Sequence, residues 1–328
     1  MSRLAIIGAG SWGTALAVVL APKFEHIRLW VFEADLAARI GATRENDIYL
    51  PGFQIPDNVE VVTELPHALD GVSTVLSVMP SHHVRGLYRQ IVPLAPSSAT
   101  FVSATKGLEN NTLLRASEVI SEVLGPRRIA VISGPTFARE VARGEPTALV
   151  VSGEDNVTRE IQTSFSGPTF RLYRSIDTIG VEIGGAIKNV IAIGAGVLHG
   201  LGLGHNAAAA LITRGLAEMT RLAVAMGGQP HTLAGLAGLG DLVLTCTGEL
   251  SRNRTVGIEL ARGRSLEEIT GSMKMVAEGV KTTQAAMELA RRYSVEMPIT
   301  EQMSGMLHSG TPPREAIRRL MERSLKQE

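Results

Sequence analysis

The sequence contains very little cysteine and few aromatic residues. Its 328 residues include one cysteine, Cys246, so neither an intramolecular disulfide nor a cysteine-based zinc site can form. This usage is typical of the reducing cytoplasm, and we expect that location. Aromatic residues make up only 4% of the chain, so Leu, Ile, Val, Ala and Met must fill most of the core.

An excess of charge of either sign is also missing. The 32 Lys and Arg residues balance the 32 Asp and Glu residues, for a formal net charge of zero. Because binding to nucleic acid or to an anionic membrane surface depends on a basic excess, we expect no nucleic-acid partner. A local basic site for a small anion is still compatible with this balance.

Long uninterrupted apolar runs are absent. The most apolar stretch, residues 190–211, is broken by glycines and by His199, His205 and Asn206, whereas a membrane-spanning helix needs about 20 apolar residues. The apolar segment after Arg3 faintly resembles a signal peptide, but glycines interrupt it at a spacing typical of a nucleotide-binding turn. We therefore expect neither secretion nor an integral membrane segment.

Short β-branched runs alternate with helical patterns through the first half of the chain. This order is typical of βαβ units and of a mostly parallel, doubly wound sheet. The predicted strands are 4–7, 27–31, 59–62, 74–78, 100–103, 129–132, 148–151 and 170–173, and helical patterns between them include 14–20, 35–40 and 113–124.

The pattern changes near Asp177, where strand-like runs stop and long helical patterns begin. Asp177 is a candidate N-cap, and Pro312 and Pro313 stand where the last helix should start. We therefore predict an α/β domain over residues 1–177 and an all-α domain over residues 178–328. The long helical patterns are 178–197, 207–226, 280–292 and 314–323.

A glycine-rich motif joins the first predicted strand to the first helix. Gly8, Gly10 and Gly13 have the GxGxxG spacing, which permits a tight turn, close approach to a pyrophosphate and close helix–strand packing. Alone the motif is compatible with an ordinary turn, but its place between strand and helix favours a Rossmann domain. We expect NAD(H) or NADP(H) to contact these glycines and also Ser11 and Trp12.

Glu33 lies about twenty residues further on, just past the second predicted strand. A carboxylate there can accept from a ribose 2′-hydroxyl and would repel a 2′-phosphate, which favours NAD(H). An ordinary solvated loop glutamate is an equally good interpretation. Phe32 can line an adenine pocket or belong to the core.

Two other kinds of site lack their sequence markers. No GxxxxGK[ST] motif is present, which removes the best indication of ATP-driven phosphoryl transfer. His82 and His83 are adjacent rather than helically spaced, and His199 and His205 have no carboxylate at a metal-motif spacing. We predict no metal site.

Several further motifs together resemble one family in order over essentially the whole chain. With the glycine-rich start, they closely resemble bacterial NAD(P)-dependent glycerol-3-phosphate dehydrogenase. The resemblance implies reversible hydride transfer between sn-glycerol 3-phosphate and dihydroxyacetone phosphate, which supplies glycerol 3-phosphate for phospholipid synthesis. It also implies an active site between the two domains and a homodimer. The motifs are MPSH at 79–82, ATKG at 104–107, SGPTFA at 133–138, GAIKNV at 185–190, GLGD at 238–241 and SRNR at 251–254.

Lys188 is the candidate acid and base, since oxidation of a secondary alcohol needs a group that accepts the hydroxyl proton. It is the single cation in a helical stretch of Gly, Ala, Ile and Val. Burial there would lower its pKa from roughly 10.4 toward the range of a working base. Its ammonium could instead reach solvent on a long stem. The resemblance assigns proton transfer to Lys188.

The substrate phosphate has candidate ligands in Ser251, Arg252 and Asn253. A guanidinium binds phosphate bidentately, and a helix N-terminus adds donors; an isolated motif of this kind would more simply be a capped, solvated helix. The resemblance places all three residues at the substrate and Arg252 also at the cofactor.

The remaining site residues are predicted mainly from the resemblance. Asp241, in a glycine-rich turn, could accept from the substrate hydroxyl or from Lys188, although turn aspartates more often bond their own backbone. The resemblance implies cofactor and substrate contact for Lys106, substrate contact for Gly134 and Thr136, and cofactor contact for Ala138, Val276 and Glu278.

One departure from the family concerns the end of the second strand. Members often have Arg or His there, whereas this chain has Val31, Phe32 and Glu33, which puts NADP(H) use in doubt. Related dehydrogenases with a catalytic lysine, such as ketopantoate reductase and β-hydroxyacid dehydrogenases, are alternative assignments. A non-catalytic dinucleotide sensor is another.

Overall fold

The structure is a computed structural model that describes residues 3–273 and 277–325. Its N-terminal half forms one eight-stranded sheet in the order β3-β2-β1-β4-β5-β6-β7-β8. The strands are β1 (Arg3–Ile7), β2 (His26–Trp30), β3 (Val59–Val62), β4 (Thr74–Ser77), β5 (Thr100–Ser103), β6 (Arg128–Ser133), β7 (Thr147–Gly153) and β8 (Phe170–Ser175).

The sheet is parallel except where β7 pairs with β6. Both of its faces are covered: Leu4 and Ile6 of β1 lie in one hydrophobic cluster, and Ala5 and Ile7 lie in the cluster on the opposite face. Strands buried on both sides have continuous apolar sequences rather than alternating ones, which is why β1 could be predicted from its composition.

The strand order reverses direction between β1 and β4. From β1 the chain builds β2 and β3 on one side, and then crosses back to place β4 on the other side of β1. In open α/β sheets, ligands bind at the carboxyl ends of the strands at such a switch point. The glycine-rich turn that follows β1 lies at this position.

Helices cover the sheet and then form the C-terminal part of the chain. The predicted class, a Rossmann-type α/β sheet followed by helices, is confirmed. The helices are α1 (Ser11–Leu20), α2 (Ala34–Thr43), α3 (Leu65–Leu69), α4 (Val84–Ile91), α5 (Ala116–Leu124), α6 (Ala138–Ala142), α7 (Asp155–Phe165), α8 (Thr178–Gly200), α9 (His205–Ala225), α10 (Pro230–Leu233), α11 (Asp241–Thr247), α12 (Arg252–Ala261), α13 (Leu266–Ser272), α14 (Glu278–Arg292), α15 (Pro298–His308) and α16 (Pro313–Met321).

Two helix starts show what local sequence does and does not determine. Asp177 caps α8 as predicted, because its carboxylate accepts from the backbone N–H of Gly180 at 2.8 Å. The helix predicted from residue 113, in contrast, begins only at Ala116. Leu113 has φ +63°, a left-handed conformation that cannot continue a right-handed helix, and the apolar pattern gives no sign of it.

Helix α8 runs through the centre of the helical half. Among the described residues, α8 is the one unbroken helix that is long and apolar enough to cross a membrane. Its most apolar stretch is entirely buried inside the protein. Glycines allow its neighbours to approach closely. A Cβ at Gly196 would lie 2.0 Å from the carbonyl oxygen of Arg254, and one at Gly257 would lie 1.9 Å from that of Ile193. These contacts bring the first half of α12 against the C-terminal part of α8.

We expect Gly257→Ala to destabilise the protein by about 2–3 kcal/mol, because the added methyl group must displace helix backbone rather than a flexible side chain. Gly41→Ala is the matched control. Gly41 also lies in a helix, but a Cβ there meets no atom within 4 Å, so this change should stabilise by about 0.5–1 kcal/mol. Urea unfolding of the two variants measures both effects, and an unchanged midpoint for Gly257→Ala would contradict the close helix contact.

Candidate active site

The glycine-rich turn after β1 has the shape that a dinucleotide requires. Gly8 has φ +117°, and a Cβ there would lie 2.2 Å from the carbonyl oxygen of Val78; a Cβ at Gly13 would lie 1.9 Å from the carbonyl oxygen of Gly8. At Gly10, in contrast, a Cβ would meet nothing within 4 Å. The outer glycines therefore allow tight packing, while the middle one faces open space that a pyrophosphate can approach.

Helix α1 begins directly at this turn. Its N-cap is Gly10, which offers no side-chain acceptor to the first turn of the helix. Ser11 and Trp12 are its first two residues. The positive end of the helix dipole and the first-turn N–H groups are thus directed at the place where the phosphates of a dinucleotide would lie.

Glu33 and Phe32 follow β2 at the same edge of the sheet. Glu33 is the N-cap residue of α2, yet its side chain makes no capping bond; its carboxylate accepts instead from the hydroxyl of Tyr49 at 2.8 Å. Phe32 is 79% exposed, which excludes the core interpretation of this residue. Together with the glycine turn, these residues fit a nicotinamide dinucleotide.

Lys188 is buried in α8 and does not reach solvent. Its side chain is 7% exposed, and its Nζ donates to Asp241 Oδ1 at 2.5 Å and to Thr245 Oγ1 at 2.7 Å. Burial lowers the pKa of Lys188 to about 8, although the Asp241 carboxylate partly offsets this effect and the ammonium of Lys106 adds to it. Both protonation states are therefore accessible near neutral pH.

Lys106 approaches the same carboxylate from the Rossmann sheet. It follows β5, and its Nζ donates to Asp241 Oδ2 at 2.6 Å and to the carbonyl oxygen of Gly134 at 3.0 Å. Gly134 follows β6, the neighbouring strand. One carboxylate thus joins an ammonium from the edge of the sheet to an ammonium from helix α8.

Asp241 is fixed by an unusual stretch of backbone. A π-helical turn, Leu236–Gly240, precedes it, and this turn packs on α8 so closely that a Cβ at Gly184 would lie 2.6 Å from the carbonyl oxygen of Ala237. Asp241 is 1% exposed. π-turns are rare and frequently occur at functional sites. The sequence indicates only a glycine-rich turn here.

Thr245 and Asn189 were missed by sequence reasoning. Thr245 lies one helical turn after Asp241 in α11, so the i, i+4 spacing was the available signal. Asn189 follows Lys188, and its Oδ1 accepts from Asn253 Nδ2 at 2.9 Å. The Oδ1 of Asn253 accepts in turn from the backbone N–H of Gly279 at 3.0 Å. Asn253 therefore connects the starts of α12 and α14 to α8.

Arg252 and Glu278 are the first residues of α12 and α14. Burial lowers the pKa of Arg252, and the charge of Glu278 opposes this shift. Burial raises the pKa of Glu278 to about 7, against the attraction of Arg252, Lys106, Lys188 and Lys281. Arg252, Lys106 and Lys188, the cations predicted to contact the cofactor or the substrate, therefore all lie close enough to Glu278 to lower its pKa.

The other predicted residues occupy the strand-to-helix turn after β6, the start of α12 and an undescribed segment. Thr136 Oγ1 donates to the carbonyl oxygen of Gly134 at 3.1 Å, and Ala138 is the first residue of α6. Ser251 caps α12, where its hydroxyl accepts from the backbone N–H of Arg254. Val276 lies outside the described residues.

Among the described residues, no group of three or more His, Cys, Asp or Glu side chains could hold a metal ion. Cys246, one residue beyond Thr245, is buried, and burial raises the pKa of its thiol to about 12. A dinucleotide-binding turn at the carboxyl ends of the strands and a buried lysine that is bound to a carboxylate fit an NAD(P)-dependent dehydrogenase.

Comparison with known proteins identifies the family. Two family models match: the N-terminus of NAD-dependent glycerol-3-phosphate dehydrogenase over residues 3–158, and its C-terminus over residues 177–318. The chain is 57% identical to the glycerol-3-phosphate dehydrogenase (NAD(P)+) of Koribacter versatilis over 98% of each chain. It is 52% identical to that of Geobacter sulfurreducens over 99% of this chain and 98% of the relative. The chain belongs to the NAD-dependent glycerol-3-phosphate dehydrogenase family.

Solved structures agree with this assignment. The crystal structure of glycerol-3-phosphate dehydrogenase from Coxiella burnetii has a TM-score of 0.94 at 41% identity and covers 98% of this chain and 99% of that one. A ketopantoate reductase from Ralstonia eutropha, with a TM-score of 0.60 at 17% identity over 98% of this chain and all of that chain, shares the fold alone.

We expect the pH profiles of the two reaction directions to have opposite slopes near pH 8. As the pH rises through the pKa of Lys188, about 8, the ammonium that can donate a proton disappears and the amine that can accept one forms. Accordingly, kcat/KM for ketone reduction should fall and kcat/KM for alcohol oxidation should rise.

The control for this profile is Glu278→Gln, because Glu278 also titrates near neutrality, with a pKa of about 7. The variant should keep the inflection near pH 8 and lose any inflection near 7. Parallel profiles in the two directions, or loss of the pH 8 inflection in Glu278→Gln, would show that Lys188 is not the titrating group.

Proposed function

We propose that this chain catalyses reversible hydride transfer between sn-glycerol 3-phosphate and dihydroxyacetone phosphate, with Lys188 as the general acid and base. The observation that carries the proposal is the Asp241 carboxylate, which accepts from both Lys188 and Lys106. Lys106 follows β5, and the glycine-rich turn that fits a dinucleotide follows β1 at the same carboxyl edge of the sheet.

The protein's part in the chemistry is proton transfer and charge placement. The bound nicotinamide supplies or accepts the hydride. In the oxidative direction the neutral Lys188 amine takes the proton of the substrate hydroxyl; in the reductive direction its ammonium returns a proton to the carbonyl oxygen. Asp241 and Thr245 hold the Lys188 nitrogen in one place, and such positioning is a large part of catalytic efficiency. The charge of Lys106 favours negative charge that develops on the substrate oxygen.

The phosphate group of the substrate has its candidate ligands at the start of α12. Arg252 supplies a guanidinium that suits bidentate phosphate binding. Asn253 uses one amide hydrogen on Asn189, and an amide nitrogen has a second one to donate. With the helix N-terminus these groups form an anion site in a chain of zero net charge.

We further propose a preference for NAD(H), two domains that meet near residue 177, and a homodimer that acts in the cytoplasm and supplies glycerol 3-phosphate for phospholipid synthesis. The Glu33 carboxylate supports the cofactor preference. The domain division, residues 1–177 and 178–328, is supported by the positions where β8 ends and α8 begins. The family supports the dimer and the lipid role, and the single buried cysteine supports the location.

The activity is tested by the loss of NADH absorbance in the presence of dihydroxyacetone phosphate. We expect rapid oxidation of NADH, slower oxidation of NADPH, and no reaction with unphosphorylated dihydroxyacetone, which gives the phosphate site nothing to bind. A protein that binds NADH but consumes none with the phosphorylated ketone would overturn the proposal and favour a dinucleotide sensor or a sister dehydrogenase.

Lys188→Ala should separate chemistry from binding. We expect kcat to fall about 10²- to 10⁴-fold, the usual contribution of a general acid or base, while the Kd for NADH stays near that of the wild type. Lys23→Ala removes an exposed lysine at the end of a 3-10 helix and should change neither quantity. Wild-type turnover in Lys188→Ala would exclude the assigned role.

A further inference from the structure

A loop after α2 connects the glycine-rich turn to Glu33. Asn46 in this loop is fully buried, and its Nδ2 donates to the carbonyl oxygen of Ala9 at 2.8 Å and to Thr14 Oγ1 at 2.9 Å. Its Oδ1 accepts from the backbone N–H of Tyr49 at 3.0 Å. One amide side chain therefore ties the backbone of Tyr49 to the turn on which the cofactor should lie.

The same loop is held at its two ends without any ligand. The backbone N–H of Ile55 donates to the carbonyl oxygen of Arg44 at 2.7 Å, and the Arg44 guanidinium donates to the carbonyl oxygens of Ile55 and Val59. The backbone N–H of Gly52 donates to Glu45 Oε1 at 2.8 Å. The position of Tyr49 is thus built into the fold.

Tyr49 uses its hydroxyl on Glu33. The ring is partly buried against the core of the sheet, and its Oη donates to Glu33 Oε1 at 2.8 Å. This hydrogen bond, together with burial and the charge of Glu33, raises the pKa of Tyr49, so the phenol remains a donor at neutral pH. Glu33 itself is exposed, and its side chain makes no capping bond to the helix that it precedes.

We propose that Tyr49 is a positioning residue for cofactor selection: it holds the Glu33 carboxylate so that the second oxygen, Oε2, is presented to a ribose diol. This rests on the proposed role of Glu33. An unrestrained glutamate loses rotamer entropy when it is fixed, and it can rotate away from a 2′-phosphate. A carboxylate that is already held loses less on binding NADH and cannot avoid the extra charge of NADPH.

Direct titration of NADH and NADPH into the purified protein, followed by nicotinamide fluorescence, tests this without any substrate. We expect Tyr49→Phe to raise the Kd for NADH roughly fivefold, because the Glu33 side chain must then be immobilised when NADH binds, and to leave the Kd for NADPH unchanged or lower. The kcat at saturating NADH should not change. Tyr173→Phe is the matched control, because Tyr173 lies on β8, at the far edge of the sheet from β2 and β3.

The decisive arm repeats Tyr49→Phe in a Glu33→Ala background, where the phenol has no carboxylate to hold. There we expect the substitution to leave the Kd for NADH unchanged. The inference is overturned if Tyr49→Phe binds NADH as the wild type does, weakens NADH and NADPH equally, or keeps its full effect in the Glu33→Ala background. A wild-type protein that binds neither nucleotide would instead overturn the proposed function.

Discussion

The arrangement of this protein depends on one carboxylate that is shared by two ammonium groups. Asp241 accepts from Lys106, which follows strand β5, and from Lys188, which lies in helix α8. A buried lysine without a carboxylate partner would have a pKa too low to keep its proton near neutral pH. A lysine whose charge was fully balanced by a carboxylate would stay protonated. Burial and the attraction of Asp241 act in opposite directions, and the pKa of Lys188 falls to about 8. The same hydrogen bonds join the sheet to the helices.

Much of the fold was predictable because local sequence determines it. The strands at 59–62 and 100–103 have the bounds expected from short β-branched runs, and Asp177 caps α8 through its own side chain. Where a conformation depends on distant packing, prediction was less complete. The left-handed Leu113 delays the start of α5, and the π-turn before Asp241 packs on α8 at a place where only a glycine, Gly184, leaves room for its backbone.

The site residues were predicted one by one, and the hydrogen bond from Lys188 to Asp241 was one of the two alternatives given for Asp241. The contact between Asp241 and Lys106 was not predicted. Lys106 and Asp241 are 135 positions apart, and no local pattern shows that they meet. The roles of Lys106 and Asp241 were predicted from motifs in a known order. Those motifs gave no role to Thr245, which accepts from Lys188, or to Asn189, which accepts from Asn253. Tyr49 was missed for the same reason, since its partner Glu33 belongs to a different element.

Helix α8 carries Lys188 and also six glycines, at 180, 184, 185, 194, 196 and 200. Each glycine weakens an isolated helix by about 1 kcal/mol relative to alanine, so this helix has little intrinsic tendency to form before its neighbours pack against it. The stability of α8 therefore depends on α11, α12 and the sheet that pack against it. Lys188 has its lowered pKa only in this packed state, because in an unfolded chain the same side chain is an ordinary, solvated lysine.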